Sequence, residues 1–348
     1  MEIRYQRPVK SMPKKQITIP IFIPHEGCAN SCVFCNQWRV TNTTIKTTPE
    51  LIKNTIEKYL LTAINRVEKI EIGFFGGSFT GLSQERQKKY FENIAPYIES
   101  GLINSIRIST RPDYIDAHKL KILKENHVET VELGVQSFSD NVLKASGRGH
   151  SSKDSINAFY LLKENNFRVG IQLMPGLPED TYTDSIQSAI KTAELCPDDV
   201  RIYPTVVLKD TQLEKLWAEG NFAPMSIEEA VELCSEIYGI LTEKRINIIR
   251  MGLHPMDISA GDVLIGPYHE ALGFMIKSRY RRKVLEELIE KSVKMNESRD
   301  SISLMLPTKM KEEYIGMKKE NILHLKNKYF ITDINYRFED IENPQILS

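Results

Sequence analysis

Six short β-branched runs, at residues 17–23, 69–75, 105–109, 130–135, 169–173 and 200–207, alternate with amphipathic stretches along the first two-thirds of the chain. The stretches lie at 49–66, 83–100, 116–126, 139–145 with 152–165, and 180–195, and a further one at 226–244 follows the last run. This rhythm restricts the fold more than any other feature. Apolar strands that alternate with helices bury both faces of a parallel sheet. Thr48 before Pro49, and Ser83, are helix-start signals. The prediction is an α/β fold: a partial (β/α)6 TIM-like barrel in residues 1–270, N-terminal segment included, with a small C-terminal α/β extension over 271–348.

Barrel enzymes carry their chemistry on the loops that leave the C-terminal strand ends. The unusual residues of this chain fall there. A cysteine loop follows the first run and Gly76-Gly77-Ser78-Phe79-Thr80 the second. Ser109-Thr110-Arg111-Pro112-Asp113, Gly134-Val135-Gln136-Ser137 and Gln172-Leu173-Met174-Pro175-Gly176-Leu177-Pro178 close the next three, and Tyr203-Pro204-Thr205 lies within the sixth.

The cysteine loop holds Cys28, Cys32 and Cys35 at C-x3-C-x2-C spacing. Three thiolates on one tight loop can hold three irons of a 4Fe-4S cube and leave the fourth open to a small molecule. With His25 the same loop can instead complete a four-ligand structural zinc site. Five cysteines in 348 residues, Cys196 and Cys234 among them, fit small buried thiols in a reducing cytoplasm rather than a disulfide framework. The start, Met1-Glu2-Ile3-Arg4-Tyr5, is no apolar leader, and no run is long enough to span a bilayer, so a cytoplasmic protein without a membrane partner is expected.

An open iron suits S-adenosylmethionine, whose amino and carboxylate groups can chelate it and whose C–S bond one electron can break. Gly76 and Gly77 can let backbone approach the methionine amine, or form a plain strand-to-helix turn. Ser78 adds a hydroxyl acceptor. Arg148, in Gly147-Arg148-Gly149-His150, can pair with the methionine carboxylate, or lie on the surface. Gln172, Gln136 and Ser109 can form a polar layer for the ribose, Gln136 alternatively being an amide satisfied by backbone. Phe34 is either an adenine contact or loop packing. The electron would come from a donor such as flavodoxin or ferredoxin.

These residues resemble the radical S-adenosylmethionine superfamily, and within it the radical domain of the Elongator catalytic subunit. That likeness rests on the cysteine spacing, Gly76-Gly77-Ser78-Phe79-Thr80, Thr110-Arg111-Pro112-Asp113-Tyr114-Ile115, Arg148-Gly149-His150 and Met174-Pro175-Gly176-Leu177-Pro178, and covers residues 15–255. More distantly, the chain resembles oxygen-independent coproporphyrinogen oxidases. The resemblance implies a cluster on Cys28, Cys32 and Cys35, with S-adenosylmethionine held by Gly76, Gly77, Gln136, Arg148 and Gln172. Ser109 departs from an acidic residue frequent in that family. The acetyltransferase domain of Elongator has no counterpart in the residues after 255, so acetyl transfer does not carry over.

Lys plus Arg and Asp plus Glu both number 46, so affinity for nucleic acid must come from a local patch rather than net charge. Lys277, Arg279, Arg281, Arg282 and Lys283 can contact phosphates, or be a solvated face with Glu286, Glu287 and Glu290 as helical partners. After them a strand, a helix with Gly316-Met317-Lys318-Lys319, and another strand resemble the RNA-binding KH module, Lys319 replacing its second glycine. His254, Tyr268, His269 and Glu270 are either candidate substrate contacts or proton donors, or polar loop residues. The expected function is modification of tRNA or another RNA. The alternatives are a small metabolite or tetrapyrrole substrate, or a non-enzymatic RNA-binding protein with a vestigial cluster.

Overall fold

The computed structural model describes residues 16–29, 32–40, 46–63, 66–253, 261–293 and 301–347. Its main sheet has seven strands in the order β1-β2-β3-β4-β5-β6-β8. They are β1 (Gln16–Phe22), β2 (Lys69–Phe75), β3 (Ser105–Thr110), β4 (Val128–Gln136), β5 (Arg168–Leu173), β6 (Asp199–Ile202) and β8 (Asn247–Met251), with a short β7 (Val207–Leu208) before the last. The pairs β1–β2, β2–β3, β3–β4 and β6–β8 are parallel. This curled half-barrel is the expected α/β architecture. It has one strand more than the sequence indicated. β8 lies at the sheet edge with Asn247 and Ile249 exposed, so its sequence lacks the unbroken apolar run of a central strand.

The chain divides into two compact units. The first extends to Val135 and adds Gly147–Gln172. Its helices are α1 (Gln37–Val40), α2 (Pro49–Ala63), α3 (Gln84–Glu99), α4 (Ala117–Glu125) and, past α5 (Asp140–Ala145) of the other unit, α6 (Ser152–Glu164). Leu51 N–H donates to the Thr48 hydroxyl, and Arg86 N–H to that of Ser83, so both expected caps form. Side chains alternate along a strand. Ile19, Ile21, Ile70, Ile72, Phe74, Ile106, Ile108, Val131 and Leu133 are all buried on one face. Phe74 there stacks near Phe79 and Tyr90 beside α3.

The other face holds buried charge. Arg107 Nε is 2.8 Å from Glu71 Oε2 and its Nη1 is 2.6 Å from Glu132 Oε1. Thr18 adds a hydrogen bond of 3.1 Å to Glu71. Barrel interiors are mostly filled by branched apolar residues; here an ion network occupies part of that face.

The second unit comprises Gln136–Ser146 and Leu173 onward. Here α7 (Tyr182–Leu195), α8 (Gln212–Ala218) and α9 (Ile227–Glu243) precede β9 (Val263–Ile265) and the 22-residue α10 (Leu272–Val293). Leu272 and Ile276 belong to a core with α9 residues Val231, Cys234 and Ile237. Leu285 and Ile289 belong to a second core with β10 (Ser301–Pro307), α11 (Lys311–Ile315), α12 (Glu320–Tyr329) and β11 (Asp333–Glu339). β10 pairs parallel with β11 and antiparallel with β12 (Gln345–Leu347). Gly316-Met317-Lys318-Lys319 joins α11 to α12.

Candidate functional site

The cysteine loop is fastened to the glycine segment by backbone contact. Ile23 N–H still bonds the Phe75 carbonyl at 2.8 Å, then the chain turns through His25 and Gly27, both with positive φ. Ser78 N–H donates to the Glu26 carbonyl at 2.9 Å. A Cβ on Gly77 would lie 2.3 Å from the Glu26 carbonyl oxygen and 2.6 Å from that of Ile23. Gly77 is therefore required by its approach to the cysteine loop itself. Gly76 differs: its φ of +96° favours glycine, while a Cβ there would meet Gln37, Pro24 and Ile23 at ordinary van der Waals distances of 3.7–3.8 Å.

Below the loop, the Glu26 carboxylate accepts Arg86 Nε at 3.0 Å, Arg86 Nη2 at 3.1 Å and the Tyr90 hydroxyl at 2.9 Å. Burial and the Glu26 charge push the Tyr90 phenol well above its usual range. Both partners come from α3, so this helix anchors the loop. Glu26→Ala leaves buried Tyr90 without its carboxylate acceptor and Arg86 with only the Thr47 carbonyl, and a loss of roughly 2 kcal/mol follows. Thermal denaturation measures that loss; a variant as stable as wild type would show that the clamp does not hold the loop.

The three thiols now have surroundings. Cys28 Sγ is 3.3 Å from the Ser78 hydroxyl, and Cys35 N–H bonds the Cys32 carbonyl at 3.0 Å. Burial, then the Cys32 and Cys28 sulfurs, push the Cys35 thiol up to about 12, while Arg148 and Gln37 draw it down. Arg148 Nη1 donates to Cys32 Sγ at 3.1 Å and its Nη2 to the Gly134 carbonyl at 2.6 Å. Phe34 is 9% exposed, packed within the loop. His25 Nε2 accepts Gln37 N–H at 2.9 Å, so that nitrogen is already engaged and does not serve a zinc ion.

This donor set fits a metal–sulfur group. A guanidinium N–H aimed at the Cys32 sulfur is a contact that a cluster-bound cysteine sulfur can accept, and loading displaces the thiol protons. Among the described residues no three His, Cys, Asp or Glu side chains gather as a single metal-ion site. A cube instead takes each thiolate on a separate iron.

On the charged face of the sheet, Ser109 donates to Glu132 Oε2 at 3.4 Å, so the hydroxyl that replaces an expected acid adjoins a carboxylate from the next strand. Gln172 is half-buried near the end of β5. In the second unit Gln136 is 5% exposed with φ +70°, and its carbonyl accepts Met174 N–H at 2.8 Å. A non-glycine residue held left-handed and buried marks a place where surroundings over-determine the backbone.

Sequence reasoning missed Glu26, Arg86, Tyr90, Glu71, Arg107 and Glu132. The last three carried a signal, since each interrupts an apolar run at the period-two spacing of one strand face. Glu26 carried none.

Two further buried groups lie beyond β3 and beside Arg148. Arg111 clamps Asp113 through Nε and Nη2 at 3.0 and 2.9 Å. Burial chiefly, then the Arg148 charge, lowers the His150 imidazole to about 4, with Asp113 opposing. The folded state therefore refuses a proton that the unfolded chain accepts below about pH 6.5. His150 stabilisation is complete above that pH and is lost as pH falls toward 4, by at most about 3 kcal/mol. Denaturant midpoints at about pH 7 and about pH 5 should fall further apart in wild type than in His150→Gln; equal separations would refute the assignment.

The remaining candidates lie in the second unit. His269 is exposed, and its Nδ1 accepts Ala271 N–H at 3.0 Å, a contact that caps the start of α10. Tyr268 is half-buried and Glu270 exposed; His254 lies outside the described residues. The basic residues of α10 are spoken for. Arg279 pairs with Glu228 and Glu232, Lys283 with Glu232 and Glu236, and Lys277 and Arg281 with Glu313. Their partners come mainly from α9 and α11, while Arg282 lies 3.9 Å from Glu286, a partner within α10 that the sequence had suggested.

A parallel half-barrel with three thiols on the loop after its first strand defines a class of metal–sulfur enzyme. Residues 22–190 match the Radical SAM superfamily and residues 197–282 the Radical_SAM C-terminal domain, and the chain belongs to the radical SAM superfamily. This superfamily uses a 4Fe-4S cluster and S-adenosylmethionine. The chain is 29% identical over 238 residues to a tRNA uridine(34) acetyltransferase of Methanocaldococcus infernus, covering 63% of this chain and 44% of that protein. It is 29% identical over 195 residues to Elongator complex protein 3 of Homo sapiens, covering 50% and 36%. The solved archaeal Methanocaldococcus infernus Elp3 with N-terminus deletion superposes with a TM-score of 0.61 at 25% identity, covering 78% of this chain and 63% of that one. The chain thus spans less than half the length of these two curated relatives. Among the described residues no helix is long and apolar enough to cross a membrane.

Proposed function

We propose that this chain binds a 4Fe-4S cluster through Cys28, Cys32 and Cys35, cleaves S-adenosylmethionine there, and directs the resulting radical at tRNA or another RNA. The observation that carries the reading is the Arg148 N–H on Cys32 Sγ, on a loop fixed to Gly77 by direct backbone contact. Held by Cys28, Cys32 and Cys35, the cluster would supply one-electron cleavage of a sulfonium C–S bond of S-adenosylmethionine with release of methionine, the electron coming from a flavodoxin- or ferredoxin-type donor.

The chain's own residues bind and orient. Gly76 lets backbone approach the methionine amine, and Ser78 and Arg148 offer polar contacts to the amino and carboxylate ends. Ser109 and Gln172 supply polar contacts to the ribose, and Phe34 closes the loop beside the adenine. Substrate assignment follows from the relatives, which are named for tRNA and for Elongator. Within this chain we assign RNA contact to exposed Lys318 and Lys319, not to the ion-paired face of α10.

The test is anaerobic reconstitution followed by 5′-deoxyadenosine release with and without bulk tRNA. RNA-dependent release, with deuterium carried from labelled RNA into the product, is the expected result. Release that ignores RNA would transfer the assignment to a small metabolite or tetrapyrrole. Cluster loading without any cleavage would indicate a non-catalytic RNA-binding protein.

A further inference from the structure

Arg148 is only 6% exposed, and the Gly134 carbonyl fixes its guanidinium so that Nη1 meets Cys32 Sγ. The backbone that carries a second buried guanidinium runs beside Gly134. Ser109 pairs with Glu132 and Thr110 with Leu133, so the register leads Arg111 toward Gly134. Arg111 is 2% exposed; Nε and Nη2 hold Asp113, while Nη1 is buried with no hydrogen-bond partner. Asp113 offsets one of the two positive charges. Neighbouring His150 is buried and neutral and adds none. A net positive environment therefore lies beside Cys32, and the Arg148 charge also reaches Cys35.

Such an environment acts on electron uptake. A cube on three thiolates is anionic and gains a further negative charge on reduction. Hydrogen bonds to its sulfurs and nearby positive charge favour the reduced form, and low exposure strengthens both. We propose that Arg148, by donating an N–H to the Cys32 sulfur and with Arg111 behind it, makes the cluster easier to reduce, a positioning role separate from any contact with the carboxylate of S-adenosylmethionine. This rests on the cluster reading above and extends it to a second buried guanidinium, that of Arg111, which the binding scheme does not use.

The experiment is an EPR-monitored redox titration of the reconstituted full chain without S-adenosylmethionine, comparing wild type with Arg148→Gln, Arg148→Lys and Arg111→Gln. In Arg148→Gln the reduction equilibrium should become at least about tenfold less favourable, about 59 mV for a one-electron couple. Arg111→Gln should show a smaller shift of the same sign, and Arg148→Lys, which keeps the charge, an intermediate one. Midpoints equal to wild type at equal iron content would overturn the inference. If the variants load poorly, the reduced wild-type cluster decides. A proton coupling that exchanges in deuterated buffer supports the N–H···S contact, and its absence refutes it. A wild-type chain that takes up no 4Fe-4S cluster would instead sink the proposed function.

Discussion

Alanine at Cys32 should strip the reconstituted protein of its brown absorption and reduce 5′-deoxyadenosine release to background, while the fold survives. The reason is the separation between ligand and scaffold. Cys32 is half-buried on a loop, and the cores of both units are built from other residues. Deleting one sulfur takes away a cluster ligand and the partner of Arg148, but it opens no core cavity. The stability change should stay within about 1 kcal/mol. Iron and sulfide content, absorption and cofactor cleavage are the measurements, with Cys196→Ala as the control that should keep all three. A Cys32→Ala protein with full iron content and normal cleavage would mean that the three-thiol site is wrong. Equal loss in Cys196→Ala would point to general misfolding.

Methionine at Arg107 should destabilise the fold far more, by about 3–5 kcal/mol. Arg107 sits between Glu71 and Glu132, whose exposures are 1% and 5%. Removing the guanidinium leaves two buried carboxylates that Thr18 and Ser109 hydroxyls can only partly satisfy. Breaking a buried pair costs more than replacing it entirely, because an uncompensated charge remains. Adding Glu71→Gln and Glu132→Gln to Arg107→Met should therefore recover most of the loss. Denaturant unfolding checks both. A single variant within about 1 kcal/mol of wild type, or a triple variant no better than the single, would show that the network is not the stabilising unit of this face.

The strand-and-helix order was legible because its signal is local. Runs such as Ile70-Glu71-Ile72 and Ile106-Arg107-Ile108 alternate within a few residues, and the cysteine spacing lies within eight. The edge strand β8 escaped because exposure at an edge removes the apolar run that marks a central strand. The same local reading found Gly77 and offered it to a ligand or to a turn, and could not see the Glu26 carbonyl that lies against it. It found the α10 arginines, yet could not show that α9 and α11 supply their acids.

By itself, then, the sequence determined the half-barrel, the cysteine triplet and the family, all written in neighbouring residues. Only the tertiary structure decided what surrounds the thiols and the buried charges. Arg148 reaches Cys32 across 116 positions and Arg107 reaches Glu71 across 36. Such contacts depend on strand register, including the shift between Ile106 and Arg107 that sets Arg107 beside Thr130. A one-residue slip would turn each side chain to the opposite face, and no short stretch of sequence records which register the sheet adopts.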